Sequence, residues 1–149
     1  MTAIDKASEV INSKVDYIGG GMDGYVVLTT IDDAGYPHSV AITISKADGI
    51  NWLSMLTGAR SKKAMRLLKN NKAGICLATN NYNITLIGTA EVITAPDIKK
   101  EHWQDTFAKH HGPYTSEKHC VIKFTTERYN IYFAEEALFD KGVMEGITK

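Results

Sequence analysis

Cysteine is scarce in this sequence, and its scarcity excludes several classes of small protein. Cys76 and Cys120 are the only two cysteines among 149 residues, and they lie far apart with no C-x-x-C spacing. A disulfide-rich secreted scaffold or a cysteine-based zinc module would need more cysteines at closer spacing. We therefore expect two buried, reduced thiols, with a single disulfide between them as the alternative.

Net charge and long apolar runs are also missing. The 17 basic residues are balanced by 17 acidic ones, whereas a general binder of nucleic acids or membrane surfaces carries excess positive charge. No apolar run approaches the roughly 20 residues that span a bilayer. The first residues, MTAIDKASEVINS, lack the apolar core of a signal peptide. We therefore predict a cytoplasmic protein without nucleic-acid or membrane partners, in which any binding of anions is local.

The composition that is present is that of an ordinary globular protein. Hydrophobic residues make up 44% of the chain and charged residues 23%, which is enough apolar mass for a sizeable core. The length fits one domain by the usual size of domains. We therefore predict a single domain over residues 1–149.

Short strand-like segments separated by turn residues dominate the chain. Val40, Ile42 and Ile44 alternate with small or polar residues, which is the period-two pattern of a half-buried strand. Consecutive strands joined by tight turns favour a closed or nearly closed antiparallel barrel of about six strands. Strands are predicted at residues 25–31, 39–45, 50–56, 73–79, 84–94, 120–126 and 128–134; helices at the N-terminus, after Ser61 and over 96–109; loops at 19–24 and 110–118.

The stretch TGARSKKAMRLLKNN, residues 57–71, gathers five cations without one acid. With Ser61 as N-cap, a helix would begin at Lys62 and Lys63, where the helix dipole already places about half a positive charge. Each cation there costs roughly 0.3–1 kcal/mol, and the nearest acids along the chain are Asp48 and Glu91. A bound anion would reverse this sign, because charge-assisted hydrogen bonds contribute about 1.5–3 kcal/mol each. The stretch therefore predicts a phosphate or similar anion at the helix start.

The alternative is an amphipathic helix whose basic face is simply solvated. No Walker motif or G-x-G-x-x-G accompanies the cations, so the pattern alone leaves both interpretations open. On a helical projection the apolar residues Ala64, Met65, Leu67 and Leu68 fall on one side, and the basic residues Lys62, Lys63, Arg66 and Lys69 fall opposite.

Four segments occur in an order and spacing that carry a family resemblance. They are GYPHSVAI, MLTGARSKKAMRLLKNNKAGICL, NITLIGTAEVI and HCVIKFTTERYNIYF. In this order they are similar to the flavin-binding split-barrel superfamily of pyridoxamine 5′-phosphate oxidase, and most of all to its small general-stress-protein branch. The resemblance implies a mainly β (α+β) fold, a six-stranded antiparallel split β-barrel with two to three flanking helices. It also implies FMN as the cofactor.

The resemblance assigns the phosphate end of FMN to the cation cluster. Lys62 and Lys63 stand where the family grips the FMN phosphate, with Ser61 or Arg60 assisting. Thr57 matches a loop threonine that contacts the phosphate or the ribityl chain. The alternative for Thr57 is an ordinary residue at a strand end.

The ring end of FMN is assigned to a strand and a turn. Ser39, Val40, Ala41 and Ile42 match the strand along which the isoalloxazine lies, with backbone polar groups meeting the edge of the ring. Asn83 stands where the oxidases carry a glutamine near the flavin. The alternatives are a core sheet for the strand residues and a simple turn former for Asn83.

In this family the flavin sits between two subunits, so the resemblance implies a homodimer with FMN at the interface. A barrel this small has no room for a tricyclic ring inside its own core. We therefore predict a flavin-dependent oxidoreductase acting on an unidentified small substrate, with reduced nicotinamide as one candidate donor. The alternatives are a non-catalytic flavin-binding sensor or carrier, related to stress, and a haem-binding member of the same fold.

Departures from the oxidase pattern concern the substrate. No arginine or histidine follows Arg128, whereas the oxidases use such residues to hold pyridoxal, so we do not expect oxidation of pyridoxamine phosphate.

Histidines near the end of the 96–109 helix could suggest zinc or haem iron, but their spacing lacks the ligands of a metal site, and we predict no metal. Trp103 and Tyr132 are predicted as core residues, with flavin stacking as the alternative. The histidines concerned are His102, His110, His111 and His119.

Overall fold

The computed structural model describes residues 1–17 and 22–146. A short 3-10 helix, Met22–Gly24, precedes the first strand; the remainder of the predicted entry loop, residues 19–21, lies outside the described residues. The elements in chain order are α1 (Ala3–Ser13), β1 (Tyr25–Ile31), β2 (Pro37–Thr43), β3 (Lys46–Asp48), β4 (Trp52–Gly58), α2 (Lys62–Lys69), β5 (Lys72–Ala78), β6 (Tyr82–Ile93), α3 (Pro96–His102), α4 (Asp105–His111), β7 (His119–Phe133) and β8 (Leu138–Val143).

The strands form one antiparallel sheet that curls into a half-barrel. Their order is β2-β1-β5-β6-β7-β4-β3, with β8 paired to the second half of β7. The predicted antiparallel split-barrel fold is therefore confirmed, with eight strands instead of six and four α-helices in the described part of the chain. Strand β2 lies at one end of this order and, in the described part of the chain, pairs only with β1, so one of its sides is free.

The core is built from the alternating side chains of the strands. In β1 and β5, Val26, Leu28, Ile75 and Leu77 are buried while their neighbours are not, as the period of two requires. Helix α1 closes this core with its buried face, and its Thr2 N-cap forms a capping box with Asp5. The helix residues that reach the core are Ala3, Ala7 and Ile11 of α1 and Leu67 of α2.

The two strands predicted near the end of the chain are one continuous strand, β7. The predicted break near Glu127 is a β-bulge, because Gly88 pairs with Thr126 while Ile87 pairs with Arg128, leaving Glu127 without an opposite residue. A bulge of this kind bends a strand without ending it. The predicted close approach at Gly88 is confirmed, since a Cβ there would lie 2.0 Å from the carbonyl oxygen of Thr125.

Other local predictions were wrong at particular elements. The helix expected over 96–109 is interrupted at Trp103 and Gln104, whose backbone is extended. Both side chains bond elsewhere, Trp103 Nε1 to Gly112 O and Gln104 Nε2 to Ser45 O, so tertiary contacts replace the helical ones. His110 and His111 therefore lie in α4 and not in a loop. Strands β3 and β8 were not predicted.

Neither cysteine forms a disulfide. Cys120 is buried, as predicted, whereas Cys76 is only half-buried. Among the described residues, no helix combines the length and the apolar composition that crossing a bilayer requires.

Candidate functional site

The start of α2 has the predicted geometry. Ser61 is the N-cap, and its Oγ accepts a hydrogen bond from the backbone N–H of Ala64 at 3.3 Å. Within the described ranges, the backbone N–H groups and ammonium groups of Lys62 and Lys63 have no hydrogen-bond or ion-pair partner. Two cationic residues with two free backbone N–H donors thus occupy the first turn of one helix. We call Thr57, Arg60, Ser61, Lys62 and Lys63 the anion seat.

The remaining cations of α2 are placed differently. Lys69 lies in the last turn, where a cation is favourable, and its Nζ lies 3.2 Å from Asp33 Oδ2 of the β1–β2 turn. On the opposite side only Ala64 and Leu67 are buried, while Met65 and Leu68 are exposed by 46% and 63%. The apolar face of this helix is therefore only partly covered in a single chain.

Backbone hydrogen bonds hold the loop between β4 and α2. Ala59 N–H donates to Lys118 O at 2.8 Å, and Ser61 N–H donates to Gly58 O at 3.0 Å. Thr57 is buried in β4, where it pairs with Cys120. Arg60 is exposed and lines a small cavity with Ala59, Glu117 and Lys118.

The predicted ring strand is the exposed edge strand β2. Ser39, Val40 and Ala41 are exposed, so the alternative of a core sheet is wrong for these three residues, whereas Ile42 is half-buried and packs against the core. Ser39 Oγ lies 2.8 Å from Thr29 Oγ1 on the neighbouring strand. Because β2 is an edge strand, backbone polar groups along its free side are open to a ligand.

A cleft of about 540 Å³ opens beside this edge strand. Its walls come from the segment after α1, the end of β2, one residue of β4, and α4 with the residue before it. The only formally charged Asp, Glu, Lys or Arg side chain among the described lining residues is Asp16. We call this space the cleft; it is lined by Asp16, Tyr17, Tyr25, Ala41, Ile42, Thr43, Ile44, Ser45, Leu56, Gln104, Thr106, Phe107, His110 and His111.

Several lining residues of the cleft were not predicted. Asp16 has a positive φ of 48°, which is uncommon outside glycine and often marks functional segments. Its backbone N–H donates to Ile44 O at 2.8 Å, and its Oδ1 accepts from Thr106 Oγ1. These contacts join residues about 30 and 90 positions apart, so no local sequence pattern could have found them.

The histidines are arranged for packing. His111 lies 4.4 Å from Phe107 and 5.2 Å from His119 between ring centroids. Burial, followed by the nearby His111, lowers the pKa of His119. Within residues 1–17 and 22–146, no group of three or more potential metal ligands is found.

The remaining candidates are separated from the anion seat. Asn83 is exposed and lies near the first end of β6, where it pairs with Ala78 and Tyr132. The anion seat lies near the other end of β6. There Ile93 pairs with Val121 of β7, and the preceding β7 residue, Cys120, pairs with Thr57 of the seat. Trp103 packs at 5.2 Å against Phe107, in agreement with the predicted core role, whereas Tyr132 is 47% exposed, contrary to it.

Comparisons with known proteins agree with this architecture. The family model described as pyridoxamine 5′-phosphate oxidase matches residues 22–133. A Clostridium acetobutylicum protein related to general stress protein 26 superposes with a TM-score of 0.76 at 22% identity, over 97% of this chain and 96% of its own. A search of curated proteins gave no significant match.

Two further solved structures differ in what they bind. A pyridoxamine 5′-phosphate oxidase-related, FMN-binding protein from Nostoc punctiforme gives a TM-score of 0.65 at 14% identity, covering 96% of this chain and 95% of its own. A haem-binding protein from Mycobacterium smegmatis gives 0.71 at 15% identity, covering 96% of this chain and 58% of its own. At these identities the likeness concerns the fold.

Proposed function

Because the chain belongs to the pyridoxamine 5′-phosphate oxidase family, we propose that it binds FMN as a cytoplasmic homodimer and acts as a flavin-dependent oxidoreductase on a small substrate. The proposal treats residues 1–149 as one FMN-binding domain. When bound, the flavin supplies the capacity to accept and donate hydride. The residues of this chain would bind the cofactor, orient it and shape the space beside it.

The observation that carries the proposal is the pair of unpartnered lysines at the start of α2. Lys62 and Lys63 add positive charge to a helix end that is already positive, and in the described residues no acid pairs with either of them. A phosphate there would accept from free backbone N–H groups and from both ammonium groups. The site therefore fits the phosphate of FMN better than it fits solvent.

The ring of FMN would follow the free side of β2. Ser39 to Ile42 are accessible, and Ala41 and Ile42 also line the cleft. A ring lying there would leave the cleft for the substrate. Asp16 gives the cleft a negative charge that no described lysine or arginine in its wall offsets, so we propose a small, planar substrate that is uncharged or cationic. Such a cleft disfavours the phosphorylated substrate of a pyridoxamine phosphate oxidase.

A second subunit would complete the site. Large apolar side chains remain exposed on the sheet and on α2, as expected of a surface that a partner covers. Asn83 lies at the end of β6 away from the anion seat, and strands β1 and β5 separate it from β2, so we assign it to flavin held mainly by the other subunit. On the sheet and on α2 these exposed residues are Tyr25, Val40, Met65, Leu68, Ile87, Tyr132 and Phe139.

A haem-binding role is the second candidate. It is supported by the cleft position of His110 and His111 and by the fold shared with a haem-binding protein. Haem would give a Soret band that weakens when both histidines are replaced by alanine. A non-catalytic flavin carrier would instead bind FMN, yet would give no reoxidation by added acceptors after reduction by nicotinamide.

The decisive experiment is an FMN titration of the purified protein followed by absorbance and fluorescence. We expect saturable binding, and loss of about 100-fold or more in affinity for the K62Q/K63Q variant, because two charge-assisted hydrogen bonds are removed. Lys69→Gln is the matched control, since Lys69 lies on the same helix at its favourable end. Equal FMN affinity of the wild type and the K62Q/K63Q variant would show that the basic face is only solvated surface.

A further inference from the structure

Lys99 is a buried lysine in α3. Its side chain is among the largest fully buried ones, with 1% exposure. Its Nζ donates to Ser116 O at 2.7 Å and to His119 O at 2.8 Å, and lies 5.3 Å from the ring of Trp103. No carboxylate pairs with it among the described residues. Lysine is almost never fully buried unless it is paired, so these two carbonyls indicate a specific role.

Ser116 lies in the connection between α4 and β7, and His119 is the first residue of β7. Helix α3 and the residue after it hold both ends of this connection, because Trp103 Nε1 donates to Gly112 O at 3.0 Å at its start and Lys99 holds its end. The connection therefore depends on two neighbouring side chains, Lys99 in α3 and Trp103 directly after it, which lie in contact.

The same connection holds the loop of the anion seat. Ala59 N–H donates to Lys118 O at 2.8 Å, and Lys118 lies between the two residues whose carbonyls Lys99 binds. Gly58 pairs with His119, and its carbonyl accepts from Ser61 N–H at 3.0 Å. Movement of the Ser116–His119 backbone would thus be passed to Ser61, where α2 begins.

We propose that Lys99 is a positioning residue for the anion seat, which fixes the 58–61 loop through the Ser116–His119 backbone. This inference rests on the proposed FMN phosphate site. Burial lowers the pKa of the Lys99 ammonium, but the positioning does not depend on its charge, since a neutral amine also donates two hydrogen bonds. Lys99 acts through the loop and does not itself touch the phosphate.

The test compares Lys99→Met with Lys141→Met, an exposed lysine of β8. Methionine keeps the apolar length of the side chain and removes both donors. We expect K99M to bind FMN about tenfold more weakly, the effect of roughly one lost hydrogen bond. Amide hydrogen exchange at Ala59 should accelerate, whereas exchange at Thr79, whose N–H donates to Tyr82 O at 2.9 Å, should not. K141M should change neither quantity.

A purely structural role would give a different result. K99M would then lower the melting temperature and accelerate exchange at Ala59 and Thr79 together, while the folded variant kept its FMN affinity; this result would overturn the proposal. If K99M does not fold, Trp103→Phe removes the anchor at the other end of the connection and should produce a smaller, equally selective change at Ala59. If the wild type ignores FMN, the proposed function fails, and the exchange comparison still decides whether Lys99 positions the loop.

Discussion

The anion seat and the cleft meet at neighbouring residues of β4, yet they are built differently. Thr57 belongs to the seat and Leu56 to the cleft. Backbone hydrogen bonds hold the loop of the seat, and the charged side chains of the seat itself are all basic, with Glu117 in the cavity beside Arg60. Side chains from several elements line the cleft, which carries one acid and no lysine or arginine in the described wall. The loop of the seat is held by backbone hydrogen bonds of the fold, with Lys99 as a proposed side-chain support, whereas the wall of the cleft consists of side chains that single substitutions replace.

The difference indicates that the two regions have separate tasks in the proposed site, cofactor binding for the seat and substrate selection for the cleft. In the proposed function, a seat made of a helix start and a strand end would bind the phosphate of the cofactor whatever substrate is processed. A cleft whose charge and shape come from side chains sets which small molecule enters. Relatives with one fold can thus keep the cofactor end and vary the substrate end, as sites on a shared fold do.

The largest expected effect is a loss of FMN affinity in the Ser61→Asp variant without a loss of stability. Ser61→Asp keeps a good N-cap and adds a favourable negative charge at the helix start, so the free energy of unfolding should change by less than about 0.5 kcal/mol. The carboxylate would repel a phosphate, so FMN affinity should fall about 100-fold or more. Denaturant unfolding and FMN titration measure the two quantities.

Ser61→Asn is the matched control for this substitution. Asparagine caps helices as well as aspartate does but carries no charge, so both stability and FMN affinity should stay near the wild-type values. Equal FMN affinity of the S61D and S61N variants would mean that no anion sits at the start of α2. The seat and the cleft would then not differ in the charge that they bind.

A smaller effect is expected for ligands of the cleft, which should prefer cations whereas the anion seat prefers anions. Benzamidine, benzamide and benzoate have nearly the same shape and differ in charge, so their affinities report the sign of the field. We expect benzamidine to bind most tightly and benzoate most weakly. Asp16→Asn should reduce the preference for benzamidine about tenfold, since a charge-assisted hydrogen bond contributes about 1.5–3 kcal/mol. Amide shifts of the cleft residues in NMR titrations provide the measurement.

Asp105→Asn is the control, because Asp105 is exposed at the start of α4 and does not line the cleft. A preference that survives in D16N but disappears in D105N would place the relevant charge elsewhere. Binding of benzoate ahead of benzamidine would contradict a cleft for uncharged or cationic molecules.

Local patterns predicted the parts of this protein that local interactions determine. The alternation in β1 and β5, the Ser61 cap and the Gly88 bulge each depend on a few neighbouring residues or on one close contact. The anion seat could be predicted from the sequence for the same reason, since its five residues all lie within residues 57–63. Its role in binding FMN remains a prediction.

The rest of the site is made by contacts between distant residues. The cleft requires Asp16 to meet Thr106, and the end of α3 is set by Gln104 reaching Ser45. Lys99 reads as an exposed helix residue in the sequence, and only the fold buries it. Strand β8 was missed because its sequence, LFDKGV, alternates weakly and is stabilised by pairing with β7.

The smallest expected effect concerns the wall of the cleft. His102 Nδ1 lies 2.8 Å from Ser54 Oγ, which lies 2.9 Å from Oγ of the cleft residue Ser45. Burial, and then the nearby Lys123, lowers the pKa of His102 below its ordinary value of 6.5. The unfolded chain therefore binds more protons just below that pH, so the free energy of unfolding falls as pH decreases through this range.

His102→Asn should flatten this decrease in part, since His119, whose pKa is also lowered, keeps its own contribution. Unfolding curves in denaturant at several pH values between about 5 and 7.5, around the ordinary histidine pKa, measure the slope. The anion seat contains no histidine, so FMN affinity at fixed pH should stay nearly constant in H102N. A parallel loss of FMN affinity in H102N would show that the two regions are coupled through β4, and the division between them would have to be abandoned.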